Sequence, residues 1–153
     1  MVAVHSKLAT MPASAVWLTA LGVVPFAAAG FAAAFAAPST AEVAVGILAA
    51  YGAVILSFLG GIQWGLAMAS PRTQRLPVWL TVSTVPALVG WASLAVPSTA
   101  AIALLGSAFM AVLVADHGLV GDAEVPPWFL RLRRRVTTGV VLILTATLLL
   151  RLG

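Results

Sequence analysis

From Ala13 to Ala69 the chain carries one charged residue, Glu42. No water-soluble domain could cover so long an apolar run. A bilayer crossing, in contrast, needs about 20 mostly apolar residues, and the run supplies two of them. The remainder continues the pattern: 62% of the 153 residues are hydrophobic and 8% charged, against roughly 45–50% and about 25% in soluble domains. In hydrocarbon every backbone N–H and C=O must be bonded internally, which leaves helices or a closed barrel. Uninterrupted runs of helix length select the first.

The breaks between runs predict five transmembrane helices, at about 13–37, 41–69, 77–96, 99–116 and 136–150. The expected fold is an all-α polytopic membrane helical bundle in a single domain over residues 1–153. Pro25 and Pro86 fall inside helices and should kink them. Ser39 with Glu42 three residues on reads as a capping box for the second helix, and Gly60-Gly61 marks a bend in it. Residues 117–135, with Asp122, Glu124 and four arginines, form the one long polar connection. The first apolar run is too long for the roughly 7–15-residue core of a signal peptide, so helix 1 is expected in the mature protein. The opening MVAVHSK does not resemble an Arg-rich transit peptide, which favours a bacterial origin.

The net charge of +4 and pI near 11.3 do not indicate nucleic acid, because the basic residues lie in loops and at chain ends. With the N-terminus cytoplasmic, Lys7, Arg72, Arg75, Arg131, Arg133, Arg134 and Arg135 fall inside and Arg151 alone outside. The positive-inside rule then places the protein in a bacterial cytoplasmic (inner) membrane, N-terminus in and C-terminus out. Arg131, Arg133, Arg134 and Arg135 could hold anionic lipid headgroups, although topological anchoring is the plainer role. The chain has no cysteine, and no histidine or carboxylate stands at metal-ligand spacing. No metal and no cofactor is expected.

Helices 1 and 3 open alike, Val16-Trp17-Leu18-Thr19 against Val78-Trp79-Leu80-Thr81, and Pro38-Ser39-Thr40-Ala41 matches Pro97-Ser98-Thr99-Ala100. The spacing admits two parallel αα-hairpin repeats plus a fifth helix. In that alignment Ser57 corresponds to Asp116.

The least generic stretch is Tyr51–Gly65, YGAVILSFLGGIQWG. At 100° per residue Gly46, Ala50, Ala53, Ser57, Gly60, Gly61 and Trp64 share one side, and Leu48, Ile55, Leu59, Ile62 and Leu66 the other. A helix–helix interface at the small side, with Gly61-x-x-x-Gly65 allowing close approach, is the first expectation. A pocket beside Tyr51, Ser57 and Trp64 is the second. Gln63 lies off the small side and is expected to emerge among the headgroups. Asp116 and His117 are consecutive and do not face each other. Asp116 is expected to pair with an arginine of the following connection, and Trp128 to anchor at the interface.

Tyr51, Ile55-Leu56-Ser57-Phe58-Leu59-Gly60-Gly61, Trp64-Gly65, Asp116 and Pro127-Trp128-Phe129-Leu130-Arg131 together resemble the domain-of-unknown-function 3429 family, the transmembrane protein 69-like proteins. The resemblance implies a small multi-pass inner-membrane protein of uncharacterised activity. It marks Tyr51, Ser57, Gly60, Gly61, Trp64, Asp116, Trp128 and Arg131 without assigning roles. Gln63 stands where histidine is common in the family, which weakens a metal or proton-relay role. The leading functional expectation is a non-enzymatic accessory, assembly or scaffold component of the lipid bilayer that packs against other membrane subunits or itself. The alternative is a binder or transporter of a small apolar molecule or lipid, with a cavity at Tyr51, Ser57, Trp64 and Asp116.

Overall fold

The computed structural model of the chain describes residues 10–71, 73–120 and 125–152. Among them are five helices long and apolar enough to cross a membrane. They are α1 (Ala13–Phe35), α2 (Pro38–Ala69), α3 (Leu76–Ser93, entered through a 3₁₀ turn at Thr73–Arg75), α4 (Ser98–Val120) and α5 (Trp128–Leu152). No strand occurs among the described residues, so the all-α bundle stands. Lys7 and Arg72, used in the orientation count, lie outside the described residues, as do His5, Asp122 and Glu124.

Three local expectations change. The fifth helix begins at Trp128, not near residue 136, and takes in the whole arginine run. Pro126-Pro127 sets its start, the Phe129 N–H closes a first turn on the Pro126 carbonyl at 2.9 Å, and arginine is a good helix former. The long polar connection thereby shrinks, since α4 also continues to Val120. The second helix begins at Pro38, with proline in the first turn and no side-chain cap. Its Glu42 binds Ser98 and Arg151 instead of forming a capping box with Ser39. Through Gly60-Gly61, where a bend is expected, the helix runs without a break.

α2 is the hub, packed against α1, α3 and α4, and α5 closes the bundle between α1 and α4. Leu48, Leu56, Ile102, Leu105, Phe109 and Leu144 fill the core. Phe26 meets Tyr51 edge-on at 5.0 Å between ring centroids and Phe109 at 5.6 Å, geometry worth about 0.5–1.5 kcal/mol per pair beyond area. The two hairpins are not equivalently placed. α3 lies along α2, whereas α5 stands between α1 and α4.

The α2–α3 contact is made by glycine. A Cβ on Gly60 would sit 2.4 Å from the Ser83 carbonyl oxygen, and one on Gly90 2.8 Å from the Ala53 Cα. The two contacts lie one heptad apart on each helix. In lipid, where burying apolar surface gives no net drive, such close backbone approach supplies packing energy.

The buried face of α2 runs through Val45, Leu48, Gly52, Ala53, Leu56, Leu59, Gly60, Gln63 and Ala67. The expected division into a packing small side and an outer bulky side therefore does not hold. With neighbours on three sides the buried sector is wide: leucines fill the space toward α1 and α4, and Ala53 and Gly60 admit α3. Gly46, Ser57, Gly61, Trp64 and Gly65 point away from the bundle.

Candidate functional site

Two polar clamps tie α5 into an otherwise apolar bundle. At one end Glu42 of α2 accepts from Ser98 of α4 and from Arg151 of α5, whose Nη1 also donates to the Ala33 carbonyl at 2.9 Å. That carbonyl belongs to the last turn of α1, where no intrahelical donor remains. Arg151 is thus tied down and does not simply extend to the interface.

At the other end, α2, α4 and α5 contribute one polar residue each, all within about two turns of a helix terminus. Arg133 Nε donates to Asp116 Oδ2 at 2.8 Å, and Gln63 Nε2 donates to Asp116 Oδ1 at 2.8 Å and more weakly to the Val112 carbonyl at 3.3 Å. Asp116 is 1% exposed and Gln63 2%. Emergence of Gln63 among the headgroups is overturned: its amide is the second partner that a buried carboxylate needs. A carboxylate only accepts, so the Gln63 NH₂ must face it. This leaves Gln63 Oε1 buried with no partner among the described residues.

Two cavities flank α2. A smaller one of about 310 Å³ lies between α3 and α4, bordered by Gln63, Val85, Pro86, Leu104 and Val112. A larger one of about 440 Å³ opens between α1, α2 and α5, with Phe109 of α4 at its back. Leu18, Gly22, Phe58 and Ile62 line this chamber on α1 and α2, and Trp128 and Arg133 on α5. Ligand sites typically occupy about 300–1,000 Å³. The indole N–H of Trp128 is buried and has no acceptor among the described residues.

The family model for a protein of unknown function, DUF3429, matches residues 11–149. The chain belongs to the DUF3429 family. Transmembrane protein 69 of Xenopus tropicalis is 33% identical to it over 144 residues, which are 90% of this chain and 54% of that protein. The chain therefore spans about half the length of this curated relative. No solved structure matches. A multi-pass membrane protein of a family without assigned function is the identity these findings establish.

The DUF3429 residues marked in the sequence do not gather into one pocket. Tyr51 packs on Phe26 and donates its hydroxyl to the Gly22 carbonyl at 2.9 Å, bracing α1 against α2. Gly60 seats α3. Ser57 returns its hydroxyl to the Ala53 carbonyl one turn back, and with Gly61, Trp64 (42% exposed) and Gly65 it faces outward. Asp116 is paired as expected with an arginine, but with Arg133; Arg131 is exposed. Trp128 joins Arg133 in the chamber wall. Sequence reasoning missed the Gln63–Asp116–Arg133 chain. Its signal was three isolated polar groups at matching depths from one end of the bundle, hidden while Arg133 was assigned to a loop.

Proposed function

We propose that this DUF3429 protein is a non-enzymatic binder of a small apolar molecule or lipid chain, held in the chamber between α1, α2 and α5. The observation that carries this reading is the 440 Å³ of apolar space bordered by Trp128 and Arg133. The chamber is open on one side, with the exposed Leu18 and Phe58 at its rim, so a molecule could enter it laterally from the bilayer. The only buried carboxylate among the described residues, Asp116, is engaged by Arg133 and Gln63, which leaves little for acid–base chemistry. The arginine distribution supports placement in a bacterial cytoplasmic membrane with the N-terminus inside.

A second reading, an accessory role packing against other membrane subunits or another copy, is favoured by the outward face of α2. A Cβ on Gly61 or Gly65 would meet nothing within 4 Å, so that face offers close approach to a neighbouring helix.

One purification separates the two. Mass spectrometry of the intact protein released from mild detergent should show a retained apolar species in the wild type. Gly22→Leu should lose it, since the nearest obstacle to a Cβ there is the Tyr51 hydroxyl at 3.9 Å and the longer side chain occupies the chamber. Gly61→Leu should retain it. A wild type carrying nothing would remove the binding reading, and a Gly61→Leu protein that lost a defined higher-mass assembly would favour the accessory one.

A further inference from the structure

The chamber is chemically graded. Its covered α1 and α2 walls are Phe26, Leu59 and Ile62, with the exposed Leu18 and Phe58 at the open rim, while Trp128 and Arg133 stand at the end where α5 begins. Arginine presents five N–H donors in a planar fork, and the hydrogen bond of Arg133 to Asp116 uses Nε alone. The Nη donors of a chamber-lining residue thus remain for a ligand, beside the Trp128 N–H that has no acceptor. Asp116 offsets the charge of Arg133, so the surplus positive potential at this end comes from elsewhere. It comes from the exposed Arg131, Arg134 and Arg135 and from the positive end of the α5 dipole. A neutral apolar ligand would leave these donors unmet, and a cationic head would be repelled by them.

We propose that the ligand is an anionic amphiphile, a phosphate-headed lipid whose hydrocarbon tail lies among the α1 and α2 side chains and whose head sits at Arg133 and the first turns of α5. This rests on the chamber reading and adds the charge and orientation of its occupant. A free anion could use the arginine end but would leave the apolar length of the chamber empty.

Trp128 is the reporter. A variant keeping it as sole tryptophan (Trp17→Phe, Trp64→Phe, Trp79→Phe, Trp91→Phe) is reconstituted in neutral bilayers with increasing brominated-acyl phosphatidylglycerol or phosphatidylcholine. A variant keeping only the outward Trp64 serves as reference. Half-maximal quenching of Trp128 should need about fivefold less of the anionic lipid for each basic group engaged, and Trp64 should show no such preference. Arg131→Gln/Arg134→Gln/Arg135→Gln, confined to exposed positions, should reduce the preference, as should Arg133→Lys, which keeps a cation opposite Asp116. Equal quenching by both lipids would overturn the anionic assignment and leave the chamber reading intact. Absence of Trp128 quenching by either lipid would overturn both. Displacement by millimolar inorganic phosphate would transfer the head site to free anions and overturn the amphiphile.

Discussion

Arg133→Ala should destabilise the bundle by about 3–5 kcal/mol, measured as the shift in reversible unfolding between mild detergent and SDS. The loss comes less from the ion pair than from what remains, a carboxylate 1% exposed in a low-dielectric interior with only the Gln63 amide and no countercharge. Asp116→Ala should be comparably damaging because it strands Arg133. Replacing both by leucine should recover much of the loss, since a buried pair exchanged for apolar groups is often neutral or better. Non-additivity of this size is the sign of a direct pair. Arg131→Ala, two residues away and exposed, should move stability by less than about 0.5 kcal/mol. Equal effects at positions 131 and 133 would show that the arginine run acts only as a diffuse charge.

Gly60→Ala and Gly61→Ala make the second contrast. At position 60 the new methyl would lie 2.4 Å from the Ser83 carbonyl oxygen, a backbone atom that cannot rotate away. α2 and α3 must therefore separate, at about 1–3 kcal/mol or more. At position 61 a Cβ meets nothing within 4 Å, and the same change should be neutral or slightly stabilising through helix propensity. The same unfolding assay reads both. A Gly61→Ala protein as unstable as Gly60→Ala would contradict the assignment of Gly61 to the outer surface.

Adjacent glycines with opposite roles show where sequence reading stops. Hydropathy gave the number of spans because bilayer thickness fixes span length, and Pro38, Pro77, Pro97 and Pro127 marked the turns or helix starts closely. Faces were harder. In a soluble protein polar side chains mark the outside of a helix, but in lipid both sides are apolar, so Ser57 and Gly61 look no different from Ala53 and Gly60. Which of them is covered depends on where three neighbouring helices arrive. Gln63 was misplaced for the same reason: a lone amide near a helix end can reach either water or a buried carboxylate, and only the position of α4 decides. The chamber was illegible altogether. Its wall draws on four helices, and two of its polar members, Trp128 and Arg133, fell in a stretch assigned to a loop.

The most direct test of the chamber is photolabelling in the bilayer by a phosphatidylglycerol carrying a diazirine within its acyl chain, with the labelled residues mapped by mass spectrometry. Adducts should concentrate on the covered lining of α1, α2 and α5, among Phe26, Leu59, Ile62, Val136 and Val140, and be lost in Gly22→Leu. Labelling spread evenly over outward residues such as Val54, Met68 and Trp91, and unchanged by Gly22→Leu, would contradict the chamber reading.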